Sequence, residues 1–252
     1  MNYGLWMSAA GLGSQMYRQD VLANNLANSQ TTAFKPDFAQ TVERPTAREE
    51  FGQLVSSQDL LEQLGGGVLS GQSWTDYSQG ALEQTGNDLD LALDGPGFFM
   101  VRDAEGQDKL TRAGVFQRSR DGHLVDGDGN KVLASRGRPI KLPEGGIVIG
   151  KDGTIQGDQG RSVGQLAVVQ ANAAELRKAG DNLYDFIGKD KPKVADSSTQ
   201  VKQGWTEASG IDPVIEMSRL IDSSRAIQAN SRLIGIHDEV MNLTINRLGA
   251  IA

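Results

Sequence analysis

Two segments at opposite ends of the chain carry apolar residues at helical spacing. Near the amino terminus the stripe steps by four and three residues: Leu5, Ala9, Leu12, Met16, Gln19, Ala23 and Leu26. Near the carboxyl terminus the same spacing recurs: Met217, Leu220, Ser224, Ile227, Ser231, Ile234, Asp238, Met241, Ile245 and Leu248. A stripe of this kind is buried by a partner helix. The pattern therefore predicts two long terminal helices that pack together as a coiled coil.

The second helix has clear start signals. Asp212 is a good N-cap, Pro213 fits the first helical position, and Glu216 complements the helix dipole. The pattern then continues for about 36 residues, or ~54 Å at 1.5 Å per residue. A helix of this length requires a partner.

The first helix is predicted from about Asn2 to Asn28, and its tail is rich in asparagine. Asn24, Asn25 and Asn28 stand where strong helix formers would be expected. Asparagine is a poor interior residue because its side chain competes for backbone hydrogen bonds. The tail is either a fraying helix end or a set of amide contacts to neighbouring helices. Pro36 then predicts an extended exit.

The middle of the chain has a different character. Residues 37–80 are mostly polar and predict an extended connector, with a short helix near residues 56–64. From residue 82 to 170 the apolar period falls to two. Asp-Gly pairs, which supply the positive φ of tight hairpins, begin at positions 121, 126, 128 and 152.

This region predicts roughly seven to nine short antiparallel strands. One helical turn at residues 173–178 and a polar return passage at 181–198 follow. The predicted fold class is therefore α+β, with a central antiparallel β-domain between the two terminal helices.

The composition excludes several functions. The net charge of -7 and the pI of 4.9 argue against nucleic-acid binding, because a surface that tracks phosphates needs concentrated Lys and Arg. The chain has no cysteine, so it forms neither disulfides nor thiolate metal sites, and no cofactor is predicted. Aromatic residues make up only 6% of the chain, so we expect part of its apolar surface to be buried against neighbouring chains.

The amino terminus does not have the pattern of a cleaved signal. Residues 1–16 carry no Lys or Arg, and polar residues interrupt their apolar stretch. No apolar run approaches the ~20 residues of a transmembrane helix. We therefore expect no membrane insertion, and export by a route that removes no leader.

Four segments in order resemble the bacterial flagellar rod and hook protein family. The run LANNLAN at residues 22–28, with TTAFK at 31–35, resembles its amino-terminal signature. DLDLALDGPGFF at 88–99 and LTRAGVF at 110–116, followed by DGHLV at 121–125, resemble its central blocks. The carboxyl segments QGWTEASGI at 203–211 and RAIQAN at 225–230 match less closely. Ala33, Trp205 and Ile227 stand where the family usually has Gly, Leu and Tyr.

The resemblance implies a structural subunit of the flagellar rod that transmits motor torque across the periplasm to the hook. Its terminal helices, at residues 1–36 and 204–252, would form an inner tube of stacked subunits. Residues 37–80 would connect this tube to an outer β-domain at 81–203. The implied partners are copies of the chain, other proximal and distal rod proteins, hook-side subunits and the flagellar type III export gate.

The helical pattern and the resemblance together predict an assembly interface. Its expected members are Leu5, Leu12, Met16, Asn24, Asn25, Leu26, Asn28, Met217, Leu220, Ile227, Ile234 and Met241. The polar seam positions Gln19, Ser224, Ser231 and Asp238 are predicted to fix the stagger of the subunits, because polar seam residues specify register at some cost in stability.

Within the family, the length and the single β-domain resemble the proximal rod members more than the distal ones. The segment PEGGI at residues 143–147 also resembles a proximal-rod segment. A distal rod or hook-like subunit is the alternative.

Phe34 and Phe38 lie four residues apart in the predicted extended exit. They are a candidate recognition motif for the export gate, which would bind the chain in its unfolded state. The alternative is that both rings anchor the exit segment to the core under the β-domain.

Other functional classes have less support. The chain has no phosphate loop, nucleophile elbow or metal-ligand cluster, so it is not predicted to be an enzyme. Residues 126–130 resemble the start of a calcium loop, but Lys131 and Gly137 stand at its sixth and twelfth positions, so hairpin turns are predicted instead. Asp88, Asp90 and Asp94 are predicted on the solvated face of a strand.

His123 and His237 are predicted to be surface or packing residues. A surface-binding β-module would need an exposed aromatic platform, for which Trp74, Tyr77 and Trp205 are the candidates. Their scatter along the sequence favours separate interface anchors over such a platform.

Overall fold

Two long helices bracket a chain of short strands, which confirms the α+β class. The computed structural model describes residues 3–45, 67–157, 160–196 and 198–249. The helices are α1 (Tyr3–Ala27) and α2 (Pro213–Gly249). The predicted short helix near residues 56–64 and the side chain of Leu248 lie outside what the structure describes.

Twenty strands are described between the helices. They are β1 (Asp37–Phe38), β2 (Thr41–Glu43), β3 (Val68–Ser70), β4 (Trp74–Thr75), β5 (Leu82–Gln84), β6 (Leu91–Asp94), β7 (Phe98–Arg102), β8 (Asp108–Thr111), β9 (Gln117–Arg118), β10 (Leu124–Val125), β11 (Lys131–Val132), β12 (Ile147–Ile149), β13 (Thr154–Gly157), β14 (Ser162–Gln165), β15 (Val168–Gln170), β16 (Leu176–Gly180), β17 (Leu183–Phe186), β18 (Lys193–Val194), β19 (Gln200–Gln203) and β20 (Trp205–Glu207). A single 3₁₀ turn covers Ala173–Glu175.

The chain divides into two compact units. The first unit contains Met1–Ala27, Asp37–Asp76 and Asp212–Ala252, and the second contains Asn28–Pro36 and Tyr77–Ile211. In the first unit, β1 pairs with β4 and β2 pairs with β3, all antiparallel. The described residues of the predicted connector thus form short strand pairs beside the helices.

The second unit is built from antiparallel sheets. Its largest sheet has the order β16-β17-β8-β7-β11-β10-β9, and β15 pairs with both β7 and β18. A three-stranded sheet, β12-β13-β14, and the pairs β6-β19 and β5-β20 complete the unit. Strand β7 is central, because β8 lies along one edge while β11 and β15 share the other.

The start of α2 agrees with its sequence signals. The Asp212 carboxylate accepts hydrogen bonds from the backbone N–H groups of Val214 and Ile215 at 2.9 and 3.3 Å. Pro213 occupies the first helical position, as predicted. These contacts satisfy two of the amide donors that a helix start leaves free.

The prediction that Asp90 lies on the solvated face of a strand was wrong. Its side chain is buried and accepts hydrogen bonds from Thr85 Oγ1 at 2.7 Å and Asn87 Nδ2 at 3.1 Å. The neighbouring strand β6 is buried on both faces rather than one, since Leu91, Ala92 and Leu93 are all inaccessible. Alternating polarity therefore did not mark a solvated strand face at this position.

The predicted polar passage contains a hairpin instead. Strands β16 and β17 pair across a turn in which Asp181 and Asn182 both have positive φ, 49° and 56°. Asp and Asn tolerate this left-handed conformation better than other non-glycine residues. The hairpin was missed because its turn lacks the Asp-Gly pair that marks the other tight turns.

Candidate assembly interface

Helices α1 and α2 pack in opposite directions. Gly4 lies against His237 and Gly11 lies against Asn230, so a step of seven residues up α1 matches seven residues down α2. Ser223 Oγ donates to the backbone carbonyl of Gln15 at 3.2 Å. Small and polar residues thus supply these contacts, and glycine lets the His237 ring approach the α1 backbone.

Asn25 is the polar centre of the first unit. Its buried side-chain amide donates to Glu216 Oε1 at 2.9 Å and to the Asp37 carbonyl at 2.8 Å. The side-chain oxygen Oδ1 of Asn25 accepts a hydrogen bond from the Asp37 backbone N–H at 3.1 Å. Glu216, also buried, forms a second contact with Arg219 at 3.1 Å. A buried carboxylate with these partners fixes one register of α1 against α2.

The asparagine tail therefore includes an inter-helix amide contact, which Asn25 makes. Asn24 is exposed on α1. Asn28 lies beyond the helix and accepts a hydrogen bond from Thr31 Oγ1 at 3.1 Å. Helix α1 continues through Ala27, so Asn25 does not lie in a frayed end.

The predicted apolar stripe of α1 is rotated away from α2. Leu5, Leu12 and Leu26 follow the contacting residues Gly4, Gly11 and Asn25 by one position, which is about 100° around a helix. The three leucines are half-buried, and Met16 on the same stripe is 53% exposed. On α2 the predicted residues Leu220, Ile227, Ile234 and Met241 are half-buried, while Met217 is 53% exposed.

Helix α2 also exposes a second apolar face. Val214 and Ile221 precede the buried residues Glu216 and Ser223 by two positions, about 200° around the helix. They therefore point away from α1. Among the α2 side chains that the structure describes, the exposed large apolar ones are Val214, Ile215, Met217, Ile221, Leu233, Ile236, Val240, Leu243 and Ile245.

The predicted polar seam does not coincide with the buried polar positions. Ser231 and Asp238 are exposed, and Gln19 and Ser224 are half-buried. The buried polar residues on the two helices are instead Ser14, Asn25, Glu216 and Ser223.

The second unit contains a buried ionic cluster around Glu207. Lys35 Nζ lies 2.5 Å from Glu207 Oε1, and Arg112 Nε lies 2.7 Å from Glu207 Oε2. All three side chains are at most 5% exposed. Arg112 also donates to the carbonyls of Gly95 and Gly97, so it holds the loop between β6 and β7.

The charge state of Glu207 follows from its partners. Burial raises the pKa of its carboxyl, but the positive charges of Arg112 and Lys35, together with hydrogen bonds from Lys35 and the Gly80 backbone N–H, lower the pKa by more than burial raises it. The net pKa is lowered, so Glu207 is ionised at neutral pH. Sequence reasoning missed this cluster, because its members are separated by 77 and 95 residues along the chain and nothing local marks them.

The two candidate export residues lie in different units. The Phe34 ring is buried in the second unit, where Lys178 Nζ lies 4.7 Å from its centroid. The half-buried Phe38 ring stacks on Trp74 in the first unit at 4.8 Å. Each ring therefore has its own packing partner in the folded chain.

The aromatic platform candidates have separate packing partners. Trp74 stacks on Phe38 in the first unit. In the second unit, Tyr77 contacts Tyr184 edge-on at 5.5 Å, whereas Lys202 lies 5.8 Å from the Trp205 ring.

The two histidines have different surroundings. His123 Nδ1 is buried without a hydrogen-bond partner among the described residues, and His237 is exposed on α2 beside Gly4. The described residues contain no cluster of three metal-ligating side chains. Within the same residues, neither helix is apolar enough to cross a membrane.

Known proteins match the chain over nearly its whole length. A flagellar basal-body rod protein FlgF from Caulobacter vibrioides is 33% identical over 249 residues, covering 96% of this chain and 97% of the relative. The chain belongs to the flagellar basal-body rod protein family. A family model of the flagellar hook protein FlgE/F/G D1 domain matches residues 92–157. A second model, of the flagellar basal body rod FlgEFG protein C-terminal region, matches residues 202–248.

Other rod protein family members are similarly related. A basal-body rod protein FlgG from Agrobacterium fabrum is 31% identical over 270 residues, with 97% of this chain and 98% of the relative covered. A FlgG from Bacillus subtilis is 33% identical over 258 residues, with 96% and 97% covered. The rod protein family is structural rather than enzymatic.

Proposed function

We propose that this protein is a structural subunit of the bacterial flagellar rod, assembling helically through its terminal helices to carry motor torque across the periplasm to the hook. The observation that carries this proposal is the second apolar face of α2. On the part of that helix whose side chains the structure describes, nine large apolar residues are exposed in the single chain. Burying the exposed half of such a side chain contributes about 1 kcal/mol. Neighbouring subunits that covered this face would gain considerable stability.

The arrangement of the helices supports an open array. In the single chain, α1 meets α2 at Gly4 and Gly11, while the α1 stripe and the second apolar face of α2 point elsewhere. An interface between two different faces of identical subunits does not close and generates a helix of subunits. We propose that the stripes of successive copies meet as coiled coils in an inner tube. The predicted assembly residues on both helices belong to this interface.

The register of the helix pair is proposed to depend on Asn25 and Glu216. A slipped register would break this buried pair and leave a buried carboxylate without its amide partner. Ser231 and Asp238 are exposed in the single chain, which supports a contact with a neighbouring copy. We therefore propose that Ser231 and Asp238 set the stagger of the subunits through contacts between subunits.

We propose the proximal rod as the location. The alignments to the Caulobacter FlgF, the Bacillus FlgG and the Agrobacterium FlgG each cover 96% or 97% of this chain but run over 249, 258 and 270 residues. The two FlgG alignments therefore contain more inserted residues relative to this chain than the FlgF alignment does. The proposed neighbours are other proximal and distal rod subunits and, farther out, hook-side subunits.

Export through the flagellar type III gate is the proposed route to the rod. In the folded chain Phe34 is buried, so a gate that reads it must meet an unfolded amino-terminal segment. Alanine substitution of both Phe34 and Phe38 is expected to abolish secretion. Because both rings also pack in the fold, unfolding of the purified variant by urea must be measured in parallel. Secretion at the wild-type level would rule out a gate motif.

Deletion of the gene tests the proposed function. A strain without this chain is expected to be non-motile and to yield basal bodies that lack a complete rod, and the wild-type gene restores both. Complete rods and normal motility in the deletion strain would contradict the proposal.

A further inference from the structure

The segment that joins α1 to β1 is bound by the second unit. We call residues 28–36 the amino strap, and all of them belong to that unit. Within the strap, Ala33, Phe34 and Lys35 are at most 7% exposed. The strap contains no strand or helix of its own. It therefore lies in a slot whose walls are supplied by other parts of the second unit.

One wall of the slot is β20 with the loop that follows it. The Ala33 backbone N–H donates to the Glu207 carbonyl at 2.8 Å, and the Gly210 N–H donates to the Phe34 carbonyl at 3.0 Å. The contacts on this wall thus join the backbone of the strap to the backbone of the second unit.

The β16–β17 hairpin supplies another wall. Lys178 Nζ donates to the Lys35 carbonyl at 2.6 Å and lies 4.7 Å from the centroid of the Phe34 ring. Asn182, in the turn of the hairpin, donates from Nδ2 to the Thr32 carbonyl at 3.1 Å. Because these contacts come from side chains, single substitutions in the hairpin can change how tightly the strap is held.

The slot keeps its charges compensated when the strap leaves. Lys35 Nζ donates to Glu207 Oε1 and to the Ser78 carbonyl, and release of the strap would return this ammonium group to water. Glu207 would keep Arg112 at 2.7 Å and the Gly80 backbone N–H at 2.8 Å. A buried carboxylate that retains a cationic partner is not left uncompensated. The second unit can therefore release the strap without creating an unpaired buried charge.

One strap residue weakens the docked state. Ala33 has a φ of 55°, in the left-handed region that residues other than glycine avoid. An undocked strap can return this residue to an ordinary backbone conformation. The docked strap is therefore strained at this point, and the strain favours release.

We propose that the amino strap is a latch that undocks while the rest of the second unit stays folded, and that the undocked strap presents Phe34 to the export gate. Docking hides the ring, so the docked strap is autoinhibitory for export. This inference rests on the proposed export route and adds the step in the folded chain that controls it. Local opening breaks fewer contacts than global unfolding and therefore occurs more often.

Hydrogen exchange of the wild-type chain tests undocking. The N–H groups of Ala33 and Gly210 report release of the strap, whereas those of Leu133 and Ala167, which bond inside the second unit, report its global opening. After correction for intrinsic exchange, we expect the strap pair to exchange at least about tenfold faster than the core pair. Equal rates for the two pairs would overturn the latch, because the strap would then open only together with the whole unit.

Two variants shift the latch in opposite directions. Ala33→Gly relieves the left-handed strain by more than the added freedom of glycine costs, and we expect it to slow strap exchange about threefold. Asn182→Gly tolerates the positive φ of the turn but removes the hydrogen bond to Thr32, and we expect it to speed strap exchange about fivefold. Asp181→Gly, at the other positive-φ residue of the same turn, is the control and should leave the rate unchanged.

Secretion of the same variants tests the autoinhibition. The amount of chain exported, relative to the amount synthesised, is expected to fall at least about twofold for Ala33→Gly and to rise for Asn182→Gly. The control Asp181→Gly should match the wild type. Export of both latch variants at the wild-type level would overturn the latch while the export route stands. Export of the wild-type chain by a strain without the flagellar export apparatus would instead overturn the route itself.

Discussion

The side-chain amide of Asn25 donates a 2.9 Å hydrogen bond to Glu216, joining the two terminal helices across 191 residues of sequence. Both groups are buried, and the Asp37 backbone completes the partners of Asn25. The contact specifies which residues of α1 and α2 face each other. It therefore defines the helix surface that is left for neighbouring subunits.

Asn25→Ala is expected to destabilise the first unit by about 2–4 kcal/mol, because it leaves the Asp37 backbone and the Glu216 carboxylate with fewer partners. Urea unfolding followed by helical circular dichroism measures the loss. Asn242→Ala is the matched control, since Asn242 is exposed on α2 and bonds only weakly to Asp238 at 3.4 Å. A loss within 0.5 kcal/mol of the control would show that the contact does not hold the helices together, given that ~0.5 kcal/mol is typical of neutral surface changes.

Glu207→Gln is expected to cost about 3–5 kcal/mol, because it leaves Lys35 and Arg112 buried without their counter-charge. The exposed Glu83→Gln on β5 is the control and should lie near the wild type. Equal unfolding free energies for the two variants in urea would contradict a structural role for the cluster.

A comparison of the wild type with Glu207→Gln also reports how the free energy of unfolding depends on pH. The folded pKa of Glu207 is lowered, so its contribution is fully present above the unfolded carboxyl pKa of about 4.3 and is lost as the pH falls through the lower folded value. The wild type is therefore expected to lose stability more steeply than Glu207→Gln below about pH 4.3. Parallel curves for both proteins would contradict the lowered pKa.

Gly114→Ala is expected to disrupt the second unit. A Cβ at this position would lie 1.6 Å from the backbone oxygen of Leu91, and both backbones are fixed by the hydrogen bond between Leu91 N–H and the Gly114 carbonyl. We expect a loss above about 4 kcal/mol. Gly127→Ala is the control, because nothing lies within 4 Å of its Cβ position. The thermal midpoints of the two variants check this, and similar values would mean that β6 can shift to admit a methyl group.

Ile236→Gln with Val240→Gln tests the outer apolar face. Both side chains are more than half exposed, so each substitution should change monomer stability by no more than about 0.5 kcal/mol. Incorporation into rods should nevertheless be lost, because the face that neighbouring copies cover becomes polar. Immunoblots of isolated basal bodies measure incorporation, with the exposed Ala229→Gln as control. Incorporation of the double variant at the wild-type level would show that this face is not part of the interface.

Local sequence signals predicted the helices well and their contact poorly. Asp212 and Pro213 marked the start of α2, because capping depends on adjacent residues. The α1 stripe led to Leu5 and Leu12, whereas the contact with α2 uses Gly4 and Gly11. An apolar stripe indicates which surface must be buried, but it does not indicate whether the helix that buries it belongs to the same chain.

Long-range polar contacts could not be predicted for a related reason. Lys35, Arg112 and Glu207 meet only after the sheets have formed, and none of them stands out in its own segment. The hairpin at Asp181 and Asn182 was missed because its turn uses tolerated rather than preferred residues. The acidic pattern around Asp90 failed because local polar partners, Thr85 and Asn87, allow that side chain to be buried.

Electron cryomicroscopy of isolated basal bodies tests the rod assignment most directly. The account predicts that this chain lies in the lower, proximal tier of the rod. It also predicts that α1 and α2 line an axial tube, with the outer apolar residues of α2 covered by adjacent copies. Density in the upper tier would make it a distal rod subunit. Absence of the chain from the rod would contradict the account.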